Sequence, residues 1–200
     1  MVNIAVFASG TGSNAENLIR YFRAQDCGIG VALVVCNKSG AGVIERSRAL
    51  GVPVRLMTPA EIRDPETMLA VTDEYRIDAI VLAGFLQMVP DFLIEKYSER
   101  VINIHPSLLP KFGGKGMYGI HVHEAVVAAG EHETGITIHH VTSRCDEGSA
   151  IFQARVDVAP TDTAADVEAK IHHLERTHFG PVLHSYLLAR FCGDNGFHCQ

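Results

Sequence analysis

Apolar runs of strand length alternate with amphipathic stretches over the first half of the chain. The run 2–8 ends in a glycine-rich turn, and the helical spacing of Leu18, Ile19 and Phe22 predicts a helix over 14–23. The same alternation predicts strands at 30–36, 53–57, 78–83 and 101–105, separated by helices at 41–50, 65–75 and 90–97. A strand–helix alternation of this kind indicates parallel βαβ units and a twisted central sheet.

The pattern changes in the second half of the chain. A helix is predicted at 120–129, and the strands predicted at 135–141 and 150–158 are close in sequence, which indicates an antiparallel pair at the end of the sheet. We therefore predict an α/β fold, with a mostly parallel, Rossmann-like twisted sheet of about seven strands. Helices should cover both faces, and an antiparallel strand should lie near the end of the sheet.

A long helix is predicted from Thr163 to about residue 190. Thr163 and Asp166 resemble a capping box at its start, with Asp in place of Glu, and Pro181 is expected to kink it. Residues 193–200 resemble a loose tail. Because no repeat, linker or low-complexity segment interrupts the pattern, residues 1–200 are interpreted as one domain.

Composition narrows the classes of partner. The formal net charge of -6 argues against nucleic acid, which needs a basic surface, but one pocket can still be locally positive for a small anion. No apolar run is long enough to cross a membrane. The five cysteines are scattered and include no CxxC, and the N-terminus enters a strand without a charged leader. These features predict reduced thiols and a cytoplasmic protein acting on small molecules.

The turn at residues 9–14, Ser-Gly-Thr-Gly-Ser-Asn, joins the first strand to the first helix. A turn of this kind presents free N–H groups at the positive end of a helix dipole, a geometry that binds anions and most often phosphate. A dinucleotide site is the alternative, because the turn also resembles G-x-G-x-x-A. The acidic residue that NAD requires is replaced by Asn37 and Lys38, which disfavours NAD and leaves NADP open. A tight turn without a ligand is the third interpretation.

Asn103, His105 and Asp146 are the strongest candidates for chemistry. Asn103 and His105 are two residues apart at the end of a predicted strand, so their side chains share one face at the carboxyl edge of the sheet. An amide can donate to a developing oxyanion, and a carboxylate near an imidazole favours its charged form and can move protons through water. By itself, the local pattern fits equally well two strand-end residues that satisfy loop backbone groups.

Other reactive side chains are weaker candidates. The two histidine pairs that spacing brings together lack convincing third and fourth ligands, so no metal is predicted: His121 with His123, and His172 with His173. Cys145 has no base paired with it in sequence and is interpreted as a small buried thiol in a turn. His139 and His140 should split, one pointing inward and one to solvent.

Over nearly its whole length the chain resembles the folate-dependent formyltransferases, and most closely those that act on glycinamide ribonucleotide in purine synthesis. The resemblance rests on five stretches: 8–14, 81–85, 103–111 (Asn-Ile-His-Pro-Ser-Leu-Leu-Pro-Lys), 135–139, and Asp146-Glu147-Gly148 leading into 151–153. It implies a formyltransferase fold and transfer of a formyl group from 10-formyltetrahydrofolate to the amine of the ribonucleotide. It implies no metal, and the chain would act as a monomer or homodimer.

The resemblance also implies roles for particular residues. Catalysis is implied for Asn103, His105 and Asp146. Binding of the ribonucleotide phosphate and ribose is implied for Gly12, Ser13, Asn14, Lys111 and Glu175. The folate pocket is implied to include Leu86, Gln87, Met88, Val89 and Asn103, with backbone contacts from 139–146. Without the resemblance, Glu175 would be interpreted as a solvated charge on a polar helix face.

Some features depart from the family pattern and leave alternatives. Gln87 stands where an arginine is common, and no arginine clearly matches the one that meets the folate glutamate tail. The segment 111–120 is longer than usual and rich in glycine, which predicts a mobile flap. The same trio could pass the formyl group to water, as in formyltetrahydrofolate deformylases, although those carry an extra N-terminal domain. Methionyl-tRNA formyltransferases, with a further C-terminal domain and a basic surface, fit less well. A nucleotide-binding module without formyl chemistry would leave the trio unexplained.

Overall fold

A computed structural model describes residues 1–192 of the chain. Its strands are β1 (Val2–Ala8), β2 (Ile29–Cys36), β3 (Val54–Leu56), β4 (Ala79–Leu82), β5 (Val101–His105), β6 (Glu133–His140) and β7 (Ala150–Asp157). Its helices are α1 (Ser13–Gln25), α2 (Gly42–Ala49), α3 (Pro59–Arg63), α4 (Pro65–Glu74), α5 (Asp91–Lys96), α6 (Ile120–Ala128) and α7 (Ala164–Cys192). Within these residues, no helix combines the length and apolarity that crossing a membrane requires.

All seven strands belong to one sheet, in the order β3-β2-β1-β4-β5-β6-β7. The first five strands pair in parallel, and β6 is antiparallel to both β5 and β7. The predicted mostly parallel sheet with an antiparallel strand near its end is therefore confirmed. The strand order reverses between β1 and β4, and crevices at such a reversal are where open α/β sheets bind ligands.

The core lies on both faces of the sheet, because successive strand residues point to opposite sides. In β1, Ile4 and Val6 pack on the face that α1, α2, α6 and α7 cover, whereas Ala5 and Phe7 pack on the opposite face. That second face is covered by α3, α4 and α5 through Ile62, Met68 and Leu93, among others. Helices on both faces were predicted, and the structure confirms them.

The sequence interpretation missed one short helix, α3. Thr58 and Glu61 form a reciprocal capping box there, and Pro59 occupies the first turn. The signal was present in the sequence, because a Thr followed three residues later by Glu marks a helix start. The helix is only five residues long, which hides its periodicity.

The long C-terminal helix α7 begins as predicted. The backbone N–H of Thr163 donates to the Asp166 carboxylate at 2.9 Å, and the Asp166 N–H donates back to the Thr163 hydroxyl at 3.3 Å. The capping box is therefore confirmed. The helix continues without a break past Pro181. The predicted bend of the helix axis at Pro181 stays a prediction. The predicted loose tail at 193–200 lies outside the described residues.

Candidate active site

Asn103 lies opposite His139 in the antiparallel pairing of β5 and β6, so their side chains share one face of the sheet. The His139 Nδ1–H donates to the carbonyl of His140 at 2.8 Å, which leaves the Nε2 lone pair to accept from the Asn103 amide at 3.0 Å. Burial lowers the pKa of His139 and keeps its ring neutral, consistent with this arrangement. One N–H bond of the Asn103 amide thereby points at His139. Because the amide group is planar, this contact also sets the direction of the second N–H bond.

His105 ends β5 and faces Asp146. Its Nε2–H donates to the carbonyl oxygen of Phe112 at 2.8 Å, so its Nδ1 points to the carboxylate, with 3.6 Å between Nδ1 and Asp146 Oδ2. The other carboxylate oxygen lies 3.7 Å from Nε2 of His139. Both distances exceed a direct hydrogen bond, and a small adjustment of either side chain would close them to one. The three residues that the sequence singled out are therefore brought together.

Asp146 lies on a tight turn between β6 and β7. Its φ of 57° is left-handed, a conformation that Asp and Asn tolerate better than most residues. The turn closes where the N–H of His140 donates to the Ser149 carbonyl at 3.0 Å. A Cβ on Gly148 would lie 1.7 Å from the His140 carbonyl oxygen, so only glycine fits there. The backbone of this turn thus determines where the carboxylate points.

The segment 111–119 contacts two of the three catalytic candidates, His105 and Asp146. The sequence did not indicate these contacts. Besides the Phe112 carbonyl on His105, the N–H of Gly114 donates to Asp146 Oδ2 at 2.9 Å. A Cβ on Gly113 would lie 2.4 Å from Leu109 Cδ2 and 3.3 Å from the Asp146 Cβ. The glycines predicted to make the segment mobile therefore also allow its close approach to Asp146. The mobility itself stays a prediction.

The glycine loop brings helix α1 next to helix α7. Gly12 has φ 82°, and no side chain caps the first N–H groups of α1. Glu175 is only 7% exposed and lies near the side chain of Asn14. Burial raises the pKa of Glu175, and the neighbouring Asn14 amide opposes that shift. Glu175 is therefore not the solvated charge that a polar helix face suggests, but a buried carboxyl beside the loop, where the resemblance places it.

A crevice of about 80 Å³ opens onto the catalytic groups. Its lining includes Gln87, Met88 and Val89 from the segment after β4, together with Asn103 and Asp146. Leu86, also expected in the folate pocket, does not line it: the Leu86 side chain is 54% exposed, and its backbone N–H donates to the Ser9 hydroxyl at 3.0 Å.

Lys111 and Cys145 both lie at the surface. Lys111 is 65% exposed and its ammonium pairs with Glu131 at 2.8 Å, and its role in holding the substrate stays a prediction. Cys145 is exposed instead of buried, lines the crevice, and places its Sγ 3.5 Å from Asp146 Oδ2. Burial of its sulfur and the adjacent carboxylate raise the pKa of Cys145, which disfavours a reactive thiolate.

The histidines are not arranged as they would be in a metal site within the described residues. Across residues 1–192 no group of three or more His, Cys, Asp or Glu side chains is placed to hold a metal ion. His139 points inward as expected for one member of its pair, whereas His140 is half-buried and hydrogen-bonds Ser149 and Tyr186, each at 2.8 Å. His123, on α6, is 2% exposed, a burial that sequence spacing alone did not indicate.

Comparisons with known proteins agree with this geometry. The profile of the family described as formyl transferase matches residues 2–183. Phosphoribosylglycinamide formyltransferase of Bacillus subtilis is 34% identical over 191 residues, which cover 94% of this chain and 95% of that protein. The chloroplastic phosphoribosylglycinamide formyltransferase of Arabidopsis thaliana is 37% identical over 86% of this chain, and the chain spans 61% of that protein's length.

A solved structure extends the agreement from sequence to fold. The crystal structure of phosphoribosylglycinamide formyltransferase from Bacillus halodurans has a TM-score of 0.84 and 34% identity, covering 99% of this chain and 100% of that one. Sequence, fold and site geometry thus agree: the chain belongs to the formyl transferase family, among the phosphoribosylglycinamide formyltransferases.

Proposed function

We propose that this protein transfers the formyl group of 10-formyltetrahydrofolate to the amine of glycinamide ribonucleotide in purine biosynthesis. The supporting observation is that Asn103 and Asp146 line one crevice with Gln87 and Met88, and that the Asp146 carboxylate lies 3.6 Å from the His105 imidazole. Amide, imidazole and carboxylate are the groups that formyl transfer to an amine needs, and none has to be a covalent nucleophile.

The two substrates would enter from two sides of the site. The ribonucleotide phosphate would bind the free N–H groups of α1 at Gly12, Ser13 and Asn14, with Glu175 accepting from ribose hydroxyls. The folate ring system would lie in the crevice formed by Gln87, Met88 and Val89. Anchoring both ends holds the amine at attack distance from the formyl carbon, which can supply a large part of the rate enhancement.

The chemistry follows from the positions of the three polar groups. The amine nitrogen forms a bond to the formyl carbon, and the carbonyl electron pair moves to oxygen as an oxyanion between the Asn103 amide and His105. Asp146 accepts the amine proton through a bridging water. The oxyanion then re-forms the carbonyl as the carbon–nitrogen bond to the folate breaks, and Asp146 returns the proton through the water to the leaving folate nitrogen.

One assay separates the three functions that fit the sequence. The protein is incubated with 10-formyltetrahydrofolate, with and without glycinamide ribonucleotide, and free formate and formylated ribonucleotide are quantified. Formyl transfer only when the ribonucleotide is present supports the proposal. Formate release at the same rate without the ribonucleotide would instead indicate a deformylase, and no folate turnover under either condition would indicate a binding module.

A cytoplasmic setting and a monomeric or homodimeric state belong to this proposal as well. The cytoplasmic setting is supported by the scattered cysteines, three of which (Cys27, Cys36 and Cys145) are free thiols in the structure. Fractionation of the host cell and light scattering of the purified protein test these two statements.

A further inference from the structure

His140, the last residue of β6, joins the turn that carries Asp146 to the opposite face of the sheet. Successive strand residues point to opposite sides, so His139 faces the Asn103 amide while the His140 ring faces helix α7. The backbone N–H of His140 donates to the Ser149 carbonyl at 3.0 Å, and its ring Nδ1 lies 2.8 Å from the Ser149 hydroxyl. His140 therefore closes the base of the turn with both its backbone and its side chain.

The ring of His140 is itself held by Tyr186 on α7. Its Nε2 lies 2.8 Å from the Tyr186 hydroxyl, and the two rings meet edge to face with their centroids 5.4 Å apart. Tyr186 donates its only hydroxyl hydrogen to the backbone carbonyl of Glu99 at 2.7 Å, because a carbonyl can only accept. The Tyr186 oxygen must therefore accept from the Nε2–H of His140, and in the neutral ring the free Nδ1 accepts from the Ser149 hydroxyl.

These hydrogen bonds link the turn to two other elements of the fold. Ser149 donates to His140, His140 donates to Tyr186, and Tyr186 donates to Glu99, which lies two residues before the start of β5. None of these four residues lines the catalytic crevice. Their side chains can therefore act on the chemistry only by fixing where the turn lies.

The position of the turn matters because the contacts of Asp146 are finely spaced. Its carboxylate lies 3.6 Å from Nδ1 of His105 and 3.7 Å from Nε2 of His139, just beyond direct hydrogen bonding, and it accepts from the Gly114 N–H at 2.9 Å. Misplacing a reacting group by about 1 Å can lower a rate by about 100-fold. A turn that is free to shift would therefore lower turnover without changing the substrate pockets.

We propose that His140 is a positioning residue, whose hydrogen bonds to Ser149 and Tyr186 hold the Asp146 turn where proton transfer requires it. The inference rests on the proposed function, which assigns proton transfer to Asp146. Loss of the ring contacts leaves the backbone bond from His140 to Ser149 in place. The protein should therefore still fold, while its carboxylate loses a fixed position.

The first test compares H140F with H132F. Phenylalanine keeps an aromatic ring at position 140 and removes both side-chain hydrogen bonds, and His132 is an exposed histidine just before β6. In H140F kcat should fall about 10- to 100-fold, whereas the KM of each substrate should change less than about twofold. A kcat in H140F as high as in H132F would overturn the proposal, and so would a rise in either KM as large as the fall in kcat.

Y186F and S149A test the two contacts singly and keep the histidine, so they decide the question even if H140F folds poorly. Y21F is the matched control, because it removes another tyrosine–histidine contact to α7, the one between Tyr21 and His184 at 3.3 Å. Y186F and S149A should each lower kcat about three- to tenfold, and Y21F should leave it unchanged. Equal kcat values in all three variants would contradict the proposal.

A double substitution separates the positioning of Asp146 from general damage to the fold. In D146N/H140F kcat should equal that of D146N alone, because a proton acceptor that is absent cannot be misplaced. If H140F lowers kcat by the same factor in the D146N background as in the parent protein, His140 acts on something other than Asp146 and the proposal is wrong.

Hydrogen exchange of the Gly114 amide is a readout that does not depend on activity. That N–H donates to Asp146, so a displaced turn in H140F should speed its exchange at least about threefold relative to H132F. Unchanged exchange would rule out a displaced carboxylate and with it the proposal. Absence of formyl transfer by the unmodified protein would instead overturn the proposed function, and the exchange rates would still show whether His140 fixes the turn.

Discussion

The glycine loop and the Asp146 turn contribute to one proposed active site but are built in different ways. The loop is one contiguous stretch, residues 9–14, shaped by the end of β1 and the start of α1. The catalytic centre is assembled from β5, the 111–119 segment, β6 and the turn that follows it, elements that are up to about forty residues apart in the chain. In the proposed function, a local backbone conformation would bind the ribonucleotide, whereas long-range packing would create the reactive centre.

The two regions also use backbone constraint differently. In the loop, glycine at position 12 allows close packing against α2, since a Cβ there would lie 2.5 Å from the Cα of Val43. In the turn, Asp146 itself adopts the left-handed conformation, and Gly148 and Gly113 make room around it. Substitutions in the loop should therefore affect binding of the ribonucleotide, and substitutions in the turn should affect turnover.

The largest effect is expected from Asp146→Asn. Asparagine tolerates the left-handed backbone and nearly the same shape, so the substitution removes charge and proton acceptance with little strain. Turnover should fall about 100- to 1000-fold, whereas the KM for the ribonucleotide should change little. Steady-state kinetics on both substrates measure the two effects.

Asp157→Asn, at the exposed end of β7, is the matched control for loss of one negative charge. Near-normal turnover in D146N would refute the assignment of Asp146. A rise in the ribonucleotide KM as large as the fall in turnover would contradict the assignment of turnover to the turn and of ribonucleotide binding to the loop.

The glycine loop provides the second test, Gly12→Ala. A side chain at φ 82° is strained, and its Cβ would overlap Val43, so the loop must move away from α2. The Kd of the ribonucleotide should rise at least about tenfold, with the folate KM unaffected. Calorimetry with each ligand alone measures this.

Gly10→Ala is the control for this change, because a Cβ at position 10 meets nothing within 4 Å and its backbone is not left-handed. Equal effects of G10A and G12A on ribonucleotide binding would show that the close packing against α2 is not what matters.

Glu175→Gln probes the contact that joins the loop to α7 and has a pH-dependent effect on stability. Burial raises the pKa of Glu175 above its ordinary value of about 4.3. Between that value and the raised one, the folded protein holds a proton that the unfolded chain releases, so stability falls as pH rises through this window. Glutamine has nearly the same shape and no proton to lose, so E175Q should gain stability over the parent at about pH 8.

Urea unfolding across the pH range checks this prediction. The difference in the free energy of unfolding between E175Q and the parent protein should shrink toward about pH 4, where both side chains are neutral. A difference that stays constant with pH would mean that Glu175 titrates normally in the folded protein.

The smallest effect is expected from Thr163→Ala at the start of α7. It removes a hydroxyl that accepts from the Asp166 N–H and so weakens one end of the helix that carries Glu175. Tm should fall by about 2–4 °C, with turnover unchanged. Scanning calorimetry checks this against Thr161→Ala, an exposed threonine outside the helix. A large loss of ribonucleotide affinity in T163A would show that the loop depends on α7 more than we expect.

Sequence patterns predicted most of the fold because the relevant signals are local. Apolar strand runs, helical spacing and the Thr163 capping box each depend on residues within a few positions of one another. Helix α3 was missed although it has a capping box, because its five residues are too few to show a helical period. The antiparallel pair was predicted because its two strands lie close in sequence.

The sequence by itself determined the strand–helix order, the left-handed glycine in the loop and the three polar residues placed at strand ends and turns. Only the tertiary structure decided that His139 fixes the Asn103 amide, that Gly114 binds Asp146 and that Glu175 is buried against Asn14. Those contacts depend on strand register and helix packing between segments far apart in the chain. Register and packing minimise the free energy of the whole molecule, and no short stretch of sequence encodes them.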